Sequence, residues 1–158
     1  MNQEYFTVEL APQIHLGLPL ANMGTVVQFE VSNLCPVPGV ASFWYGVVSF
    51  KGSLLWVLDS DRFFDLKAVS QTQPRKLTAV ILKQQAASSH KQVAIVVQQL
   101  KGITSIESSS LKPLSNNIPS QLSQCCSAVV STTTHTLHII DTTALLQQLD
   151  QKSSLLPA

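Results

Sequence analysis

The groups that could do chemistry are few: four histidines, three cysteines, ten cations and nine carboxylates in 158 residues. In "HTLH", His135 and His138 stand three apart, a spacing that on a helix points both rings one way, as a metal pair needs. The segment reads as a strand instead, where an odd separation sends the two side chains to opposite faces. Vicinal Cys125 and Cys126 diverge for the same reason, and no C-x-x-C accompanies them or Cys35. No metal site is expected. A nucleophile, base and acid can be assembled on paper from a serine, His15 or His90, and Asp59, but no G-x-S-x-G elbow supports it. P-loop and G-x-G-x-x-G signatures are absent too, so no cofactor is expected. His15 reads as a strand-edge histidine and His90 as a loop histidine. Lys51, in "FKGS", would be a reactive amine only if desolvated or set beside another cation. Next to Gly52 it reads as the exposed tip of a turn. Asp59 and Asp141 each end an apolar strand before a helical turn, where a carboxylate caps free backbone N–H groups. No catalytic set emerges, and the chain is not expected to be an enzyme.

The elements that carry these residues are mostly strands. "YFTVEL", "GTVVQFEV", "FWYGVVSF", "SLLWVLD", "KLTAVILK", "KQVAIVVQQL" and "TLHIID" are short, β-branched or aromatic, and separated by Gly, Pro, Asn or Ser. Many short strands argue for a barrel or a sandwich. The clearest helical pattern is "DTTALLQQLDQ", with Leu145, Leu146 and Leu149 on one face, and a shorter turn follows Asp59. "SQTQPRK" and "QQAASSHKQ" read as polar loops. The aromatics Phe43, Trp44, Tyr45, Phe50, Trp56, Phe63 and Phe64 read as core, because too few cations accompany them for base stacking. Shifting the chain by 82 residues (141 minus 59) lays "WYGVVSFKGSLLWVLDSDRFF" over "CSAVVSTTTHTLHIIDTTALL". Both copies read strand, tight turn, strand, aspartate, helical turn, so two similar β units are expected.

Composition narrows the function. Charged residues make up only 12% and the net charge is +1, with no cationic run longer than Arg75-Lys76. That excludes the footprint of a nucleic-acid binder. Val31 to Phe50 carries no formal charge, yet Asn33, Pro36, Pro38 and Gly39 in its middle rule out a membrane span. "MNQEYFTVEL" lacks a basic start and an apolar h-region, and three unevenly spaced cysteines fit a reducing compartment. A soluble cytoplasmic protein is expected, with a weakly charged polar surface suited to protein partners.

Several stretches together resemble the CheW-like family, adaptors of bacterial chemosensory arrays. They are "LGLPLANM" (Leu16 to Met23), "CPVPGVASFWYGVVSFKGSLLWVLD" (Cys35 to Asp59), Lys76 to Leu114, and "VVSTTTHTLHIIDTTALL" (Val129 to Leu146). The most specific marks are Pro38-Gly39, Gly46-Val47 with Lys51-Gly52, and Ile106 followed by Leu111-Lys112-Pro113. The resemblance implies an all-β single domain over 1–158, built as two intertwined five-stranded SH3-like barrels. The approximate division is 14–75 for one subdomain, and 76–150 with the N-terminal strand 4–11 for the other. It implies no catalysis and a place in the cytoplasm at receptor arrays serving chemotaxis, phototaxis or twitching motility. It also implies three kinds of partner: the regulatory domain of a CheA-type histidine kinase paired edge to edge, a chemoreceptor's cytoplasmic tip docked between the barrels, and further CheW-like copies.

Residue by residue, the family's arginine in "NLRG" falls on Lys51, its glycine on Gly52, and the glycine of "GV.NL" on Gly46. The family's glutamate lands on Thr25 or Val27, so that acid is absent, and Glu30 replaces it only if the strand bulges. The arginine of "VDLR" falls on Asp61, with Arg62 next to it. Lysine lacks arginine's planar fork, so the swap at Lys51 alters what can be bound. All three departures lie in regions the family uses for docking. Alongside a receptor–kinase adaptor stand two alternatives, a degenerate CheW-like scaffold without a receptor and a small Ser/His hydrolase.

Overall fold

A computed structural model describes residues 2–10, 14–66, 75–86, 89–114 and 118–152. Ten strands run in this order: β1 (Asn2–Glu9), β2 (His15–Pro19), β3 (Met23–Glu30), β4 (Trp44–Phe50), β5 (Ser53–Leu58), β6 (Lys76–Ala86), β7 (Ser89–Val97), β8 (Gln99–Glu107), β9 (Cys126–Ser131) and β10 (Thr136–Ile140). Three helices, α1 (Ser60–Phe63), α2 (Ser120–Gln124) and α3 (Thr142–Lys152), complete the described residues together with short 3-10 turns.

The strands form two five-stranded sheets, β3-β6-β7-β5-β4 and β8-β1-β2-β10-β9. Each curls until its two edges approach, and one bridge closes it: Cys35 with Val47 in the first barrel, Lys112 with Val129 in the second. The two sheets are copies of each other. In both, two antiparallel pairs are followed by a parallel pair, β7 with β5 and β2 with β10, and then an antiparallel hairpin. The offset of 82 holds between the bridge residues Val47 and Val129 (129 minus 47), while Cys35 and Lys112 stand 77 apart (112 minus 35). A two-unit β protein, read from the repeat, is what the topology shows.

The division between barrels is not a cut along the chain. The hairpin β6–β7 completes the barrel of β3, β4 and β5, and β1–β2 completes that of β8, β9 and β10. Subdomain boundaries at 14–75 and 76–150 therefore put β2, β6 and β7 in the wrong barrel. Neither half can close a five-stranded sheet without the other's first hairpin, so the barrels fold as one intertwined unit.

Side-chain alternation explains why the strands read as unbroken apolar runs, since both faces of the exchanged strands are buried. Leu55, Val57, Ala79, Ile81 and Ala94 fill the first barrel; Tyr5, Ile106, Val130, Leu137 and Ile139 fill the second. Their neighbours Leu16, Leu18, Leu58, Val80, Leu82, Val93 and Ile95 point the other way, into a core shared between the barrels. Leu145, Leu146 and Leu149 of α3 cover that shared core, the face expected from their spacing.

Several local expectations differ from the structure. "KQVAIVVQQL" is not one strand, because the chain passes from one sheet to the other at Gln98, whose N–H is held by the Glu9 carbonyl at 2.8 Å. "QQAASSHKQ" is largely hairpin rather than loop: β6 and β7 continue through register pairs as far as Ala86 with Ser89, which puts the His90 backbone in a strand. Most of "SQTQPRK" lies outside the described residues. Of the seven aromatics, only Phe63 and Phe64 are buried; the other five are half-buried, flanking the core rather than filling it.

Candidate docking site

The hairpin β4–β5 turns over Lys51-Gly52, with φ of 51° and 78°. Two consecutive residues at positive φ are the signature of a type I′ turn, whose twist matches the flanking strands. The turn exposes Lys51, whose Nζ lies 5.3 Å from the centroid of the Phe50 ring, within cation–π range. Beside it Leu54 is 69% exposed, a large apolar residue in water, while Leu55 turns inward and is 1% exposed.

Between this hairpin and β3 opens a pocket of about 260 Å³, lined by Val27, Gln28, Phe29, Asn33, Val48, Ser49, Phe50 and Leu55. It is the mouth of the first barrel: Val27, Phe29, Val48 and Phe50 pack there against the interior residues without being fully covered. The matching level of the second barrel holds the larger Tyr5, which pairs with Thr104 as Ala79 pairs with Val27. Tyr5 is 4% exposed and belongs to that barrel's core.

The positions singled out in the sequence separate here. Lys51 and Gly52 form the tip beside the pocket, and Val27 lines it. Thr25 is exposed on β3, beside a register shift between Met23 and Val26. Glu30 lies beyond that bulge, in regular register with Lys76, so it does not take over the position of Val27. Gly46 is buried, and any side chain there would collide with the Cys35 carbonyl oxygen. Alternating burial could have flagged Leu54, the outward residue next to the turn. Phe29 and Asn33 carried no signal, since only barrel closure brings them to the hairpin.

Two of the acidic residues cap helices. Asp59 Oδ1 accepts from the Arg62 N–H at 3.3 Å and Asp141 Oδ1 from the Ala144 N–H at 3.1 Å, each satisfying a free donor at a helix start. Asp61 is half-buried beside Asp59; burial first, then that neighbouring carboxylate, push its pKa up to about 6, against a hydrogen bond from Gln98. Burial pushes the Cys125 and Cys126 thiols up to about 12, which leaves them protonated and unreactive at neutral pH.

His138 is buried and His135 sits in the β9–β10 turn, where Nδ1 lies 2.8 Å from Thr134 Oγ1. His15 is buried in a central strand, not at a strand edge, and its Nε2 lies 3.1 Å from Glu9 Oε1. Among the described residues no three His, Cys, Asp or Glu side chains are arranged to hold a metal ion. No described helix is long and apolar enough to cross a membrane.

Comparison with known proteins agrees with this architecture. The fold is similar to the crystal structure of the scaffolding protein TtCheW from Thermoanaerobacter tengcongensis, with a TM-score of 0.70 at 16% identity. The match covers 89% of this chain and 90% of that one. No curated protein matches the sequence. The model of the CheW-like domain matches residues 4–150, nearly the whole chain. With its paired, hairpin-exchanged barrels and a match of that extent, the chain belongs to the CheW-like domain family, a family of non-catalytic scaffolds and adaptors.

Proposed function

We propose that this chain is a non-catalytic cytoplasmic adaptor that couples chemoreceptors to a CheA-type histidine kinase, and that it docks through the mouth of the first barrel. The observation that carries the docking face is the open apolar pocket with exposed Leu54 and Lys51 at its rim. A fully buried apolar centre bordered by polar residues is how protein interfaces are built, and Gln28, Asn33 and Ser49 supply the polar border here. Lys51 falls on the family's arginine position by resemblance and offers a single point charge, which suits an acidic residue on the partner held through one ammonium contact rather than through arginine's planar fork. Interfaces of this kind bury about 1,200–2,000 Å², more than the pocket alone provides, so the neighbouring edge strands β3 and β4 contribute.

The test is co-sedimentation of the purified chain with a CheA-type kinase and receptor cytoplasmic fragments, read together with kinase activity. Leu54→Glu and Lys51→Glu, both on exposed side chains, are expected to weaken assembly by roughly tenfold, about 1.4 kcal/mol, with unchanged melting curves. Wild-type assembly by both variants overturns the docking face. Failure of the wild type to bind any kinase regulatory domain overturns the adaptor reading. The missing family glutamate at Thr25 or Val27 favours a second reading, a scaffold that binds the kinase domain but no receptor, and the receptor arm of the same experiment separates the two.

A further inference from the structure

We propose that the Glu9–His15–His135 cluster is an acid-released latch that holds the β9–β10 hairpin, and with it the edge strand β9, on the second barrel. The rings of His15 and His135 stack with centroids 3.9 Å apart and planes inclined by 21°. This contact joins β2 to the hairpin turn, which is otherwise closed by its own bonds: the Thr132 N–H and hydroxyl both donate to the His135 carbonyl at 2.8 Å. Glu9 Oε1 lies 3.1 Å from His15 Nε2 and 3.8 Å from Lys101 Nζ, so one carboxylate serves both. His15 Nδ1 is buried with no partner, so the ring is held through Nε2 at Glu9 and by the stack on His135.

Charge counting sets the direction. The groups facing the stack are Glu9 from β1, Lys101 from β8 and His138 from β10. With neutral histidines, Glu9 and Lys101 cancel. Protonating His135 takes the cluster to +1, and His138 behind it would make +2. A cation on His135 would lie face to face with His15 beside the Lys101 ammonium, with one shared carboxylate to offset both. Burial, then His15 and Lys101, hold the His135 pKa below its ordinary value, and Glu9 opposes them. Burial lowers that of His138 as well. A base depressed in the folded state is neutral there, so the latch is closed above about pH 6.5 and weakens as pH falls below it.

Among the described residues the first barrel has no such device. By register, Glu9 pairs with His15 where Lys83 pairs with Gln92, and the counterpart of His135 is Ser53 (135 minus 82). Acid should therefore loosen β9–β10 and spare β4–β5.

Amide hydrogen exchange of the full chain at pH 7.5 and pH 5, corrected for intrinsic rates, tests this. Opening of residues 126–140 is expected to rise severalfold on acidification, while residues 44–58 stay level. His135→Gln keeps a polar turn that takes no proton and should lose most of that response. Lys101→Gln, a change on a half-exposed side chain, should reduce it by removing one facing cation. An equal acid response of both hairpins, or an undiminished response in both variants, overturns the latch.

Discussion

Replacing Gly46 by alanine should open the first barrel. Gly46 has φ of +135°, a region that L residues rarely adopt, next to a register shift that bulges β4 against β5. An added Cβ would collide with the Cys35 carbonyl oxygen and lie 2.8 Å from its carbon and 3.1 Å from Pro36 Cα. All of these are backbone atoms, so the segment itself must move. That segment closes the barrel through two hydrogen bonds, Cys35 N–H to Val47 O at 2.8 Å and Val47 N–H to Cys35 O at 3.0 Å. Losing both costs about 2 kcal/mol, and backbone strain adds about 2 more. The total of about 4 kcal/mol corresponds to a fall in Tm of roughly 8–16 °C for a chain of this size. Gly52→Ala is the control: φ is +78°, but nothing lies within 4 Å of the added carbon, so only a conformational cost of about 1 kcal/mol applies. Circular-dichroism melts and urea titrations of the two variants decide it. A Gly46→Ala protein within 1 kcal/mol of wild type, or no worse than Gly52→Ala, refutes the claim that close approach at Cys35 holds the barrel shut.

Two further outcomes follow from burial. Leu55→Arg and Val57→Arg each place an unpaired charge in the first barrel's interior, where the native residues are 1% and 0% exposed. At several kcal/mol, each should abolish the cooperative melt, and a normal melting curve for either counts against that packing. Asp61→Asn should stabilise the protein at pH 7 by about 1 kcal/mol after allowance for solvent screening, because a carboxyl raised to about 6 pays a penalty for its charge in the folded state. That penalty is absent below 3.8, where the acid is protonated folded and unfolded alike, grows between 3.8 and 6, and is full above. Urea midpoints should thus diverge at pH 7 and coincide below pH 4; a constant difference at both contradicts it.

Much of this molecule is legible along the chain. Short β-branched and aromatic runs mark the strands, aspartates end β5 and β10 before their helical turns, and the Leu145, Leu146, Leu149 spacing marks the buried face of α3. The offset of 82 residues shows two similar units. All of these are short-range properties, set by backbone geometry and by side chains a few residues apart.

What only the tertiary structure decided is which strands close which barrel. β6 and β7 read locally as the start of a second unit, and nothing in their own residues says that they complete the first. That choice depends on pairing across many residues, such as Val57 with Ala94 and Gly17 with Ile139, where a two-faced apolar strand is equally content beside several neighbours. The same pairing sets Val27 and Phe29 opposite the Lys51 hairpin to make the pocket, and stacks His135 on His15 from 120 positions away (135 minus 15). Lys51 at the tip of its turn could be read from Lys-Gly alone; the apolar mouth beside it exists because a sheet curls until its edges meet.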